Sequence, residues 1–271
     1  MYLTRHSTPD QPRWALNGSW LPPEFSLSRL LATPLDEARK SLSELATSEP
    51  TGEAPLLPPI ETDQEVWASG VTYLSSRMAR EAESQSKDVY QKVYEAERPE
   101  LFFKATGWRV KGHQQPIRVR ADSAWDVPEP ELTLVLTRHG EILGYTVGND
   151  VSSRSIEGEN PLYLPQAKVY DGSCALGPGI RIADQSELSD LPIRLEILRL
   201  GETAFKGETR TSQIKRPFSQ LADFLVRELD QPNGAFLMTG TGVVPSEAFT
   251  LNSGDRVRID IDGLVLENPV D

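Results

Sequence analysis

Two apolar, β-branched runs separated by a three-residue turn constrain this chain more than any other feature. Glu131 to Thr137 (ELTLVLT) and Ile142 to Val147 (ILGYTV) flank Arg138-His139-Gly140, a pattern that reads as a β-hairpin. Acidic residues gather at its open end. Glu129 and Glu131 are two apart, so in a strand they project to the same face. Asp150 stands at the far end of the second strand, next to Gly148, and antiparallel pairing returns it to the level of the two glutamates. Three carboxylates converging at one strand end repel unless a hard divalent cation lies among them. Carboxylates with open water positions suit Mg²⁺ or Mn²⁺.

Spacing alone does not decide this. Acidic residues make up 40 of 271 positions, and Glu-x-Glu recurs at Glu81/Glu83, Glu95/Glu97 and Glu157/Glu159, so the pair at 129 and 131 by itself describes a solvated strand face equally well. The setting separates them. The other pairs lie in polar helical or loop segments, whereas this one opens the most apolar hairpin of the chain. Pro130 between the glutamates excludes a regular central-strand position and marks a bulge or a strand entry, where side chains are re-aimed.

Around the hairpin the chain has the composition of a soluble globular protein, 38% hydrophobic and 25% charged, with a sizeable core. A net charge of −12 argues against nucleic acid or an anionic membrane as partner. It leaves room for a small anionic substrate, because a bound cation and local lysines set the potential inside a cleft. One cysteine, Cys174, excludes an intrachain disulfide and fits a reducing, cytoplasmic setting. The first residues show no apolar signal-peptide core, and no apolar run approaches the ~18 residues of a membrane span.

Residues 1–60 read as a small N-terminal domain and linker. Short strands alternate with turns such as Asn17-Gly18. A helix is expected from a Thr33 cap through Pro34, Asp36 and Glu37 to about Ala46, followed by a Pro/Gly/Glu-rich strap at 48–59. Residues 61–271 form the second unit. There, Val66–Gly70 is a buried strand, Leu74–Glu97 one or two helices that would serve as a lid, and Phe102-Phe103-Lys104 a strand end. Ile117–Arg120 alternates as a strand, as does Leu191–Leu200, and Ser219–Leu229 is an amphipathic helix. The TGTGVVP turn, Thr239–Pro245, can offer backbone N–H and hydroxyl donors to an anion. Asp262-Gly263 marks a late hairpin. Strands dominate and the βαβ rhythm of a parallel sheet is missing, which gives an α+β, mainly β fold class.

EPEL (Glu129–Leu132), YTVGNDVSSR (Tyr145–Arg154), the lysine at 168 and TGTGVVP together resemble the fumarylacetoacetate hydrolase family, in consistent order over about residues 61–271. VWASGVTY (66–73), VYEAERPELFFKAT (93–106), GHQQPI (112–117) and ENPLYLPQAKVYDGSCALGP (159–178) are similar to its sugar-acid dehydratase branch. The resemblance implies a mixed β-sandwich or rolled barrel behind a small N-terminal domain. It places the metal ligands on Glu129, Glu131 and Asp150, the family lysine on Lys168 and the late threonine on Thr241, with Tyr73, Arg77, Phe103 and Lys104 as substrate contacts. It also implies a homodimer or homotetramer. Family members that cleave C–C bonds use a histidine soon after the Tyr73 region to activate water. Residues 72–83 contain none, and the chain's histidines are His6, His113 and His139. Elimination of water is therefore the better expectation: Mg²⁺ chelates a 2-keto acid and acidifies its C3 hydrogens, Lys168 with Glu129 and Asp150 carries the catalysis, and 2-keto-3-deoxy-D-arabinonate becomes 2-oxoglutarate semialdehyde. A Schiff base on Lys168, or a plain salt bridge there, stays open. So do an acylpyruvate hydrolase or oxaloacetate decarboxylase on the same metal site, and a non-catalytic ligand-binding member.

Overall fold

The computed structural model describes residues 1–45, 47–83 and 87–271, with backbone alone at 79–83, 87 and 88. The first 57 residues supply strands β1 (Tyr2–His6), β2 (Arg13–Leu16), β3 (Ser19–Trp20) and β4 (Leu56–Leu57), and helices α1 (Leu27–Leu31) and α2 (Leu35–Glu44). The chain continues through β5 (Glu65–Gly70), α3 (Leu74–Glu83), α4 (Lys87–Glu95), β6 (Glu100–Thr106), β7 (Asp126–Val127), β8 (Pro130–Leu136) and β9 (Ile142–Asp150). Next come β10 (Ser152–Ser153), α5 (Arg154–Glu159), α6 (Leu164–Lys168) and β11 (Cys174–Ile182). The last stretch holds β12 (Pro192–Arg199), β13 (Glu202–Arg210), α7 (Phe218–Val226), β14 (Ala235–Met238), β15 (Arg256–Ile261) and β16 (Leu264–Pro269).

The expected hairpin is β8–β9, and it lies inside a large sheet of order β3-β2-β1-β11-β9-β8-β14-β5-β6, with β4 beside β1. A second sheet has the order β13-β12-β15-β16, and β7 pairs with β10 as a short ribbon. The fold is mainly β, in several sheets, as the strand content of the sequence led one to expect. Every residue of β8 and β9 is buried. Leu132, Leu134 and Leu136 face a core shared with Leu195 and Ile259 of the second sheet and Leu221 of α7. Val135 and Leu143 face the opposite core, closed by Leu27, Leu31 and Leu42 of the N-terminal helices. A strand covered on both sides needs apolar residues at successive positions, which is why β8 reads as a run rather than an alternation. Each fully buried leucine contributes about 1.5–3 kcal/mol.

Two local expectations are corrected. Thr33 does not cap α2: its hydroxyl donates to the Leu30 carbonyl, and the Leu35 N–H is taken by the Glu141 carboxylate at 2.9 Å, from the turn of the β8–β9 hairpin. A carboxylate 106 positions away thus does what a local cap would do. The observed helix ends at Glu44, and Ala46 lies outside the described residues. Ile117–Arg120 is not a strand; Ile117 alone makes a bridge, to Val270. One pair in the large sheet is parallel, β14 with β5, joined by a chain that passes through the second sheet and α7. The stretch expected to serve as a lid contains α3 and α4, with 84–86 outside the described residues. No helix among the described residues is long and apolar enough to cross a membrane.

Candidate active site

Pro130 opens β8, the one place in a central strand where a missing N–H costs no ladder bond. It puts Glu129 just outside the strand and Glu131 just inside it. The register pairs Pro130 with Asn149, and the Asp150 N–H donates to the Glu129 carbonyl at 3.0 Å, which brings Asp150 level with the glutamates. One oxygen from each of Glu129, Glu131 and Asp150 lies within 4.8 Å of the others. All three are buried, at 5%, 1% and 1% exposure.

Buried carboxylates need compensating charge. Lys168, at the end of α6, donates from Nζ to Glu129 Oε2 at 3.1 Å, Asp150 Oδ2 at 2.7 Å and Ser152 Oγ at 2.6 Å. Lys104, fully buried in β6, reaches Asp150 Oδ1 at 2.5 Å and donates to the carbonyls of Val151 and Lys168. Arg154, the first residue of α5, reaches Glu129 Oε1 at 3.1 Å. Glu131 forms no salt bridge among the described residues. Its Oε2 accepts the Gly240 N–H at 2.6 Å. Burial, with Asp150 and Glu129 beside it, holds the Glu131 carboxyl well above the usual carboxylate range. The cluster is therefore short of positive charge at Glu131, and its donor set is three carboxylates; both properties fit a hard divalent cation held by Glu129, Glu131 and Asp150.

The donors expected of the TGTGVVP loop are partly spent on this cluster, because the Gly240 N–H is on Glu131. Gly240 has φ +91°, and a Cβ there would lie 2.0 Å from Thr72 Oγ1, so the close approach needs glycine. Thr72 closes the contact by donating to the Thr239 carbonyl at 2.7 Å. Val71 beside it has φ +52°, a strained conformation for a β-branched residue and one that collects at functional sites.

A cavity opens onto the cluster. Glu129, Asp150, Lys168 and Thr241 line it. The other residues expected to touch substrate are arranged differently. Lys104 sits beneath the carboxylates, with its donors committed to Asp150 and two carbonyls. Tyr73 is 1% exposed, against Gly242, and its hydroxyl has no hydrogen-bond partner among the described residues. Arg77 stacks on Tyr94, 5.2 Å from guanidinium carbon to ring centre. Phe103 packs edge-on against Trp67 at 5.7 Å, and its neighbour Phe102 lines the cavity instead, 5.4 Å beneath Lys168 Nζ. A bulge near Lys104 shifts the pairing of β6 with β5.

Sequence reasoning missed Arg154, Ser152, Phe102, Tyr90, Glu100 and Glu157, the last four of which line the cavity. Ser152 and Arg154 lie within the quoted YTVGNDVSSR motif, so a signal existed. Glu157 belongs to a Glu-x-Glu pair whose spacing carries no signal of its own. None of His6, His113 and His139 lines the cavity: His6 is buried between Thr4 and Ala54, and His113 accepts from the Glu267 N–H at 3.2 Å.

Residues 65–271 match the family described as fumarylacetoacetate (FAA) hydrolase, C-terminal. The chain is 51% identical over 209 residues to a probable 2-keto-3-deoxyxylonate dehydratase of Haloferax volcanii, covering 76% of this chain and 72% of that protein. It is 45% identical over 208 residues to the 2-dehydro-3-deoxy-D-arabinonate dehydratase of Saccharolobus solfataricus, covering 74% and 69%. Among solved structures, a 2-keto-3-deoxy-D-arabinonate dehydratase complexed with magnesium and 2,5-dioxopentanoate superimposes with a TM-score of 0.87 at 35% identity, over 100% of this chain and 99% of that one.

Proposed function

The chain belongs to the fumarylacetoacetate hydrolase family, and on that footing we propose that it is a magnesium-dependent hydro-lyase that dehydrates a 2-keto-3-deoxy sugar acid, 2-keto-3-deoxy-D-arabinonate or its close kin, to the semialdehyde of 2-oxoglutarate. The observation that carries this reading is the buried triad of Glu129, Glu131 and Asp150 opening on a cavity whose lining holds a lysine and no histidine. The names of the similar proteins support it. Magnesium, when bound, supplies a Lewis acid that makes the C3 hydrogens of a 2-keto acid easier to remove.

The chain's own groups then have defined tasks. Glu129, Glu131 and Asp150 hold the cation. Lys104 pairs with Asp150 and Arg154 with Glu129, which aims the two carboxylates. Lys168 Nζ takes the C3 proton. For that task Lys168 would act as the neutral amine, the form that burial beside a divalent cation favours. Phe102 and Tyr90, both in the cavity lining, present ring faces that limit water around the reacting carbons. The proton taken by Lys168 goes to the C4 hydroxyl, which leaves as water, and the C3–C4 enone then loses protons from C5 and its hydroxyl and is reprotonated at C3 and C4, which gives the C5 aldehyde.

The test is to supply the purified protein with Mg²⁺ and 2-keto-3-deoxy-D-arabinonate and to follow the semialdehyde through a coupled dehydrogenase, with chelator and acylpyruvate controls. Metal-dependent semialdehyde supports the dehydratase. Cleavage of the acylpyruvate alone would make the chain a hydrolase that activates water without a cavity histidine.

A further inference from the structure

The first 57 residues have no part in the chemistry above, yet they build one side of a second cavity. It has a volume of about 450 Å³ and shares no lining residue with the active-site cavity. Arg5, Trp14, Phe25 and Arg29 line it from the N-terminal side, and Asp63 and Asn233 from the chain that follows. Charges of both signs stand open in it. Arg5 is half-buried, donates to the Ile60 carbonyl at 2.5 Å, and has an Nε without a partner. Burial draws its guanidinium below the usual range, and the field of Glu61 only opposes this. Glu61 itself is filled: its two oxygens accept from Leu27, Ser28, Trp14 and Ser26. Arg29 and Asp63 are exposed, and neither side chain has a hydrogen bond or an ion pair among the described residues. Trp14 and Phe25 meet edge to face with ring centres 6.2 Å apart, which gives the cavity an apolar wall.

We propose that this cavity binds a small hydroxylated monocarboxylate, with its acid group on Arg5 and Arg29, its hydroxyls on Asp63 and Asn233, and its carbon chain against Trp14 and Phe25. A guanidinium taken out of water without a close partner is costly, and the ligand's carboxylate supplies that partner in a geometry arginine matches with paired donors. Asp63 is the complement. An ionised carboxylate only accepts, so it calls for donors, which hydroxyls provide. Asn233 Nδ2 donates to the Asp63 carbonyl at 3.4 Å, which leaves its amide oxygen to accept as well. Arg5 and Arg29 balance Glu61 and Asp63, so the cavity carries no surplus of positive charge. A second acid group at the far end would meet Asp63 and be repelled, which selects one carboxylate rather than two. The volume is within the range of small-molecule sites. No group of the active-site cavity takes part, so this site stands whether or not the dehydratase reading does.

Calorimetric titration of the full, Mg²⁺-loaded chain with D-gluconate tests the proposal. Propionate, which has the acid group alone, and succinate, which has two, serve as controls. Gluconate should bind with a Kd of about 1 mM or tighter, and both controls at least roughly tenfold more weakly. Arg29→Ala and Asp63→Ala are changes at exposed positions that leave folding intact. Each should weaken gluconate roughly tenfold, the worth of one charge-assisted hydrogen bond. Neither residue lines the active-site cavity, so the Mg²⁺-dependent binding of pyruvate, a keto acid for that cavity, should stay within about twofold in both variants. Four results would overturn the proposal: no binding of gluconate, equal binding of gluconate and either control, gluconate binding unchanged in the variants, or gluconate and pyruvate weakened together. The third would place the gluconate at the metal site instead.

Discussion

Asp126, 2% exposed in the β7–β10 ribbon, has a carboxylate oxygen without a hydrogen-bond partner among the described residues. Burial pushes its carboxyl from the ordinary 3.8 up to about 6. For an acid whose folded value lies above its unfolded one, folding is favoured when the group is protonated in both states, and that advantage is lost as pH rises through the interval. Wild type and Asp126→Asn should therefore melt alike near pH 4. The variant should gain between about pH 4 and 6 and melt higher at pH 7, by roughly 2–4 °C for each kcal/mol recovered. Melting curves across that range check it, and a gap independent of pH would clear the carboxylate. Glu131 poses the opposite case, a raised carboxyl that awaits a cation. Glu131→Gln should weaken Mg²⁺ binding by more than roughly 100-fold, beyond the usual effect of losing a group behind a ligand, with turnover falling in parallel. Calorimetric titration with Mg²⁺ measures this directly; unchanged binding would remove Glu131 from the metal site.

Helix α4 shows how an element is held where its sequence gives little guidance. Arg216, 6% exposed, donates to the carbonyls of Val93, Ala96 and Glu97, while Lys215 and Gln220 take those of Tyr94 and Glu97. The C-terminal carbonyls of a helix are orphaned and carry partial negative charge, so a guanidinium with no salt-bridge partner among the described residues is well matched to them. This clamp fixes the end of the helix that brings Tyr90 to the cavity. Arg216→Ala should cost about 1–3 kcal/mol locally, seen as faster amide exchange over residues 89–97 with the sheet strands unchanged. Equal exchange in both proteins would mean that the helix is held by its packing alone. Alternation and turn residues placed β9, β12 and the β15–β16 hairpin well, because period and turn chemistry are local. The cap of α2 and the clamp of α4 were illegible for the converse reason: their donors and acceptors lie about a hundred residues away or more.

On the scale of the whole molecule, β1 lies beside β11 in the large sheet, and Leu27, Leu31 and Leu42 cover a face that includes Val66, Val135, Leu176 and Phe236. Glu61 ties the two parts further by accepting from the N–H groups of Leu27 and Ser28 and from Trp14 and Ser26. Deleting residues 1–57 should leave the remaining chain insoluble or without a cooperative melt, since an uncovered apolar sheet face of this extent is an aggregation surface. Soluble expression of residues 58–271 with a sharp transition would show instead that the second unit folds alone. The sequence by itself determined the hairpin, the shared face of Glu129 and Glu131, the level of Asp150 and the absence of a histidine from the 72–83 stretch, because strand period and residue identity are properties of the local chain. Only the tertiary structure decided that Lys104, Lys168, Arg154 and the Gly240 N–H surround those acids, and that Phe102 rather than Phe103 lines the cavity. Charges in a buried site are compensated by whatever groups the fold brings within about 3 Å, and those groups come from strands and helices far apart in the chain.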